Sequence, residues 1–106
     1  MPDPSKRLAF LVQQVEKGST DPFAWYALAL EYRGQKDFVR ALSVFEELRA
    51  KWADYVPMYL LCGQMLAEEL GDIEKAREWL EAGAVAARAK RETHALGELE
   101  AALSAL

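Results

Sequence analysis

A cluster of bulky and small apolar residues recurs 34 residues further along this chain, and a repeat at that stride restricts the fold before any single residue is interpreted. In the first copy Trp25, Leu28, Ala29 and Tyr32 stand at i, i+3, i+4 and i+7, with Ala41 and Phe45 after them. In the second copy Tyr59, Cys62, Gly63 and Leu66 take the first four places, while Ala76 and Leu80 answer Ala41 and Phe45 one residue late. The delay implies one extra residue at the turn near Gly71. The i, i+3, i+4, i+7 spacing puts each quartet on one face of a helix. Ala29 and Gly63 on that face let a second helix come close, and Ala41 and Ala76 are the small residues on that second helix. Phe38, Leu42, Phe45 and Leu48 extend its buried stripe, as Ile73, Ala76, Leu80 and Gly83 do in the second copy. Each copy is therefore expected to be a helical hairpin.

Start and stop signals agree with two hairpins. Asp21 before Pro22 is an N-cap followed by a ring suited to the first helical position, and Asp37 and Asp72 are placed to cap the second helix of each copy. Gly34 and Gly71 sit where the first helices should end. Pro57 opens the second copy after a turn at Asp54 to Val56. Ahead of the repeats, Leu8, Leu11, Val12 and Val15 form another helical stripe, stopped by Gly18-Ser19-Thr20. Behind them, Leu96, Leu99, Leu103 and Leu106 form a narrower one after a cap expected at Thr93. The expected organisation is one domain, 1–106, with an N-terminal helix at 5–17, repeats at 21–55 and 56–90, and a capping helix at 93–105. Two repeats with two flanking helices amount to three hairpins, about what a repeat array needs to bury a continuous core, so the array is expected to be complete.

The spacing of Trp25, Leu28, Ala29, Tyr32, Ala41 and Phe45 resembles the tetratricopeptide signature W-x2-L-G-x2-Y…A-x3-F, with Ala29 in place of the Gly. The resemblance runs from Asp21 to about Arg88. The chain is also similar to short bacterial proteins built from two such repeats and two flanking helices, through DPFAWYALALEY, DYVPMY and the HALGEL that begins at His94. Departures are Tyr59 for Trp, Cys62 for Leu, Leu66 for Tyr, and Ala53 where a closing Pro is usual. The resemblance implies an all-α fold, a right-handed superhelix of two hairpins with an N-terminal helix and a C-terminal capping helix. It also implies a cytoplasmic setting and a concave face, lined by the first helix of each repeat, where peptides lie. On this chain the residues aimed there would be Phe23, Tyr26, Leu30 and Arg33, then Leu60, Gln64 and Ala67. Some family members hold a C-terminal carboxylate in a clamp of Lys, Asn and Arg. Tyr26 and Leu30 stand in such places and Leu61 in another, so that mode of recognition is not expected.

Composition narrows the functions further. With 52% hydrophobic residues the chain of 106 can build a core, and its scarcity of Ile and Thr favours helix over strand. A net charge of −4 argues against a phosphate-backbone partner. No apolar run approaches the roughly 20 residues that span a bilayer. The N-terminal apolar run is broken by Gln13, Gln14 and Glu16, unlike a signal peptide. The single cysteine, Cys62, falls on the inter-helix face and reads as a small core residue. His94 is the one histidine, so no His pair or His/Cys cluster with metal-ligand spacing can be drawn. Glu46-Glu47 and Glu68-Glu69 point in diverging directions on a helix and cannot converge as acid and base. Arg88, Lys90 and Arg91 lie where positive charge suits a helix C-terminus. No phosphate loop or nucleophile elbow occurs. The expectation is a non-enzymatic adaptor or scaffold without cofactors that binds a protein or peptide. The alternative is a homodimer formed through the exposed apolar surface or the capping helix.

Overall fold

A computed structural model describes residues 4–106, so Met1, Pro2 and Asp3 of the expected domain lie outside the described residues. Six helices follow in order: α1 (Pro4–Glu16), α2 (Pro22–Gly34), α3 (Phe38–Lys51), α4 (Pro57–Glu68), α5 (Ile73–Ala89) and α6 (Thr93–Ser104). The described residues contain no strand, and the fold is all-α. The chain divides into two compact units, one ending at Trp52 and the other spanning Ala53–Leu106.

In the first unit α2 packs on α3 and α1 packs on α2. Trp25, Leu28 and Ala29 from α2 are buried with Ala41, Phe45 and Leu48 from α3, while Leu11 is the buried residue of the α1 stripe. The caps form as the residue types require. Asp21 Oδ1 accepts from the Phe23 amide at 3.0 Å, and Asp37 Oδ1 accepts from the Arg40 amide at 3.2 Å. The Trp25 indole N–H donates to the Ser19 carbonyl at 3.1 Å, which ties the loop between α1 and α2 to the core. Trp52, at the end of α3, lies 6.2 Å from the Trp25 ring, and the Lys51 ammonium sits 5.2 Å above that ring.

In the second unit α4 packs on α5, and α6 packs on α5 with a smaller contact to α4. Its core joins Met58, Tyr59, Cys62, Met65 and Leu66 to Ala76, Trp79, Leu80, Ala84 and Ala87, with Leu99 of α6 closing it. Gly63 is required by this packing, since a Cβ there would come within about 2.6 Å of the Leu80 side chain. Gly83 is required more strictly. A Cβ on it would run into the Cβ of Tyr59 and lie 2.9 Å from Leu99. The extra residue near Gly71 has a visible place. In the first hairpin the Asp37 amide donates to the carbonyl of Tyr32, five residues back; in the second the Asp72 amide donates to the equivalent Leu66, six residues back, through left-handed Gly71.

Two expectations are corrected. Ile73 is 40% exposed instead of buried, because it is the first residue of α5 and α4 has already ended at Glu68 opposite it. Thr93 is the first helical residue of α6 instead of its cap; Glu92 is the cap, with no side-chain capping bond, because Arg91 turns left-handed (φ 58°) and the Glu92 amide bonds Ala87. α2 ends at Gly34 as expected, and the left-handed residue that follows is Lys36 at φ 63°. Trp79, absent from the periodic stripe read in the sequence, is buried against Tyr59 with ring centroids 5.8 Å apart.

Candidate functional site

On α2 the core-facing residues Trp25, Leu28 and Ala29 leave a second face, and Phe23, Tyr26, Leu30 and Arg33 lie along it. At about 100° per residue this strip is roughly a third of a turn from the core face and a similar angle from Glu31. Glu31 marks where α1 sits, since Arg7 Nε is 3.4 Å from its carboxylate. The strip is consequently on the side of α2 that α3 and the Arg7–Glu31 pair leave open. Phe23 is 60% exposed, and Tyr26, Leu30 and Arg33 are half-buried. The Phe23 and Tyr26 rings stand 6.3 Å apart, tilted by 50°, which presents two adjoining aromatic surfaces. Burial pushes the Tyr26 hydroxyl above its usual pKa.

On α4 the corresponding residues are more enclosed. Leu60, Gln64 and Ala67 are all half-buried. Gln64 and Ala67 wall a hollow of about 180 Å³ together with Ala102, Ala105 and Leu106 at the end of α6. This part of the α4 face is shared with the flanking helix, whereas Phe23 stands in the open. Two further hollows lie in the second unit. One of about 280 Å³ is lined by Ala87, Arg88 and Arg91 together with Glu92, Thr93 and Leu96 at the α5–α6 turn. The other, about 430 Å³, lies between the Ala53-Asp54 loop with Tyr59 and the Ala82, Val85, Ala86 side of α5.

Tetratricopeptide-repeat structures share this architecture. A crystal structure of a tetratricopeptide repeat domain protein from Salinibacter ruber is 37% identical, with a TM-score of 0.72, and the match covers 78% of this chain and 92% of that one. A solution NMR structure of a tetratricopeptide repeat domain protein from the same organism is also 37% identical, with a TM-score of 0.74, covering 79% and 84%. The chain belongs to the tetratricopeptide-repeat family. No protein-family model matches the sequence, and no curated protein does. The tetratricopeptide fold points to a protein-interaction module.

The remaining side chains singled out in the sequence take structural places in the repeat. Cys62 is fully buried between α4 and its neighbours. His94 is exposed and lies 2.8 Å from Glu98, one helical turn on. Arg88 reaches Glu100 at 3.5 Å, and Lys90 reaches the Asp54 carbonyl at 3.3 Å and Glu92 at 4.0 Å. Among the described residues no group of His, Cys, Asp and Glu side chains could hold a metal ion, and no helix is long and apolar enough to cross a membrane. Phe10 on α1 and Val85 on α5, exposed at 58% and 65%, are surface groups that the sequence reading did not single out. Phe10 falls off the Leu8, Leu11, Val12, Val15 stripe, and that displacement was the available signal.

Proposed function

We propose that this tetratricopeptide-repeat protein is a cytoplasmic, non-enzymatic adaptor that binds a peptide or helix of a partner protein on the face of α2 bearing Phe23, Tyr26, Leu30 and Arg33. Leu60, Gln64 and Ala67 on α4 offer a second strip, narrowed by the end of α6. The observation that supports the reading is the Phe23–Tyr26 pair, whose outer ring is 60% exposed on a side of α2 that the α2–α3 core does not use. A hydrophobic side chain of a partner would gain contact with two rigid rings at low entropy cost, and the half-buried Leu30 would continue the apolar track. Arg33, in the last turn of α2, would favour an acidic or carbonyl-rich end of the bound segment.

The test is affinity capture from the source cells with the wild-type chain and with Tyr26→Asp/Leu30→Asp, followed by mass spectrometry. The reading expects specific partners on the wild type and their loss from the double variant, while the circular dichroism melt moves little. Equal capture by both proteins would remove the α2 strip as the binding face.

A further inference from the structure

The turn between α5 and α6 gathers positive charge in a unit that is otherwise acidic. From Ala53 to Leu106 the sequence holds five Lys or Arg and ten Asp or Glu, and three of those five cations are Arg88, Lys90 and Arg91. They meet here because α5 ends at Ala89, Lys90 caps it, and Arg91 turns left-handed before Thr93 opens α6. Arg88 and Arg91 wall the hollow of about 280 Å³ with Glu92 and Thr93, over a floor of fully buried Ala87 and half-buried Leu96. The other two hollows of this unit differ. Glu68 is the one charged residue lining the first, and the Lys90 ammonium lining the second is bonded to the Asp54 carbonyl beside it.

Carboxylates of the same chain account for two of these cations. Arg88 lies 3.5 Å from Glu100, and Lys90 lies 4.0 Å from Glu92, so the rim carboxylate is already matched by the lysine. Among the described residues no ion pair or hydrogen bond engages the Arg91 guanidinium. Its N–H groups form a fork that matches both oxygens of a carboxylate. Size restricts the occupant further. A volume of about 280 Å³ falls below the roughly 300–1,000 Å³ of sites that enclose a whole small molecule, so what fits is one side chain of a segment that otherwise stays outside. Ala87 and Leu96 suit an aliphatic side chain, and Arg91 suits an acidic neighbour. The acidic surface of the rest of the unit repels the same segment, which confines it to this turn.

We infer that the hollow at the α5–α6 turn is a contact site, separate from the α2 strip, for a partner's acidic peptide segment in which an aliphatic residue adjoins Asp or Glu. The aliphatic side chain enters against Ala87 and Leu96, the adjoining carboxylate pairs with Arg91, and Arg88 stays with Glu100. The Thr93 hydroxyl stands at the same rim. An exposed ion pair contributes little alone, so a short peptide binds here weakly and the aliphatic side chain and the carboxylate are both needed.

Titration of the isotopically labelled intact chain with the capped peptide acetyl-Ala-Leu-Glu-Glu-amide, followed through backbone amide resonances, tests this. Saturable shifts in the millimolar range are expected, centred on the amides from Ala87 to Leu96. The neutral peptide acetyl-Ala-Leu-Gln-Gln-amide is expected to bind about fivefold more weakly or not at all, because it cannot pair with a guanidinium. The polar peptide acetyl-Ala-Ser-Glu-Glu-amide should lose as much, since it leaves the apolar floor uncovered. Arg91→Gln, checked for unchanged resonances away from the turn, should bring the acidic peptide down to the level of the neutral one. No saturable shift up to about 10 mM of the acidic peptide overturns the inference. So does equal binding of the acidic and neutral peptides, or binding that survives Arg91→Gln. Shifts confined to the α2 amides overturn this site while leaving the α2 reading in place.

Discussion

The two hairpins solve one packing problem with different residues. In α2–α3 the large partner is Trp25, set against small Ala29 and Ala41, and the Trp25 indole bonds the Ser19 carbonyl six residues back. In α4–α5 the smaller Tyr59 stands in that place, and its hydroxyl donates to the carbonyl of Ala53, also six residues back. Loss of bulk at Tyr59 is met by Trp79 from α5, while Gly63 and Gly83 open the space these rings and Leu80 occupy. The turn differs in the same way: Lys36 holds the left-handed position in the first hairpin and Gly71 in the second. The repeat therefore specifies places, a polar-tipped aromatic that pins the preceding loop, a close approach and a left-handed turn, and leaves the residue at each place to its neighbours.

Perturbations at matched places sharpen the contrast. Trp25→Ala should have the largest effect, about 3–5 kcal/mol, because it removes a buried indole together with its contact to Trp52 and its bond to Ser19. A loss below about 1 kcal/mol in urea unfolding would mean that Trp25 is not the keystone of the first unit. Gly83→Ala comes next, at about 1–3 kcal/mol, since the added methyl meets the Cβ of Tyr59, which cannot swing aside as a side-chain end would. Tyr59→Phe keeps the ring and removes the hydroxyl that donates to Ala53, so a loss of about 0.5–1.5 kcal/mol is expected. The turn substitutions should be smallest and opposite in sign. Gly71→Ala should lose about 1 kcal/mol, whereas Lys36→Gly should gain up to that much by relieving a left-handed lysine. Equal signs in denaturant midpoints would break the equivalence of the two turns.

Most of the architecture was legible because hairpin packing imposes a period. The caps Asp21, Asp37 and Asp72, the opening Pro57 and the extra residue before α5 could be read from local chemistry, each depending on residues within one turn. Ile73 and Trp79 could not be read as easily, since periodicity fixes direction around a helix and says nothing about where the neighbouring helix ends. Glu92 displaced Thr93 as the α6 cap for a related reason: a left-handed Arg91 is a backbone choice that residue type does not announce. The strip Phe23, Tyr26, Leu30 and Arg33 came from the family resemblance carried onto this chain, and not from the periodicity that placed Trp25. The enclosure of Gln64 and Ala67 came from neither, because it depends on where the end of α6 comes to rest.

The adaptor reading is tested most directly by titrating the isotopically labelled chain with a peptide from a captured partner and following its backbone amide resonances. The largest shifts are expected to cluster on α2 at Phe23, Tyr26, Leu30 and Arg33, with the exposed side of α3 unchanged. Shifts confined to α3 or α5, with the α2 amides still, would contradict it.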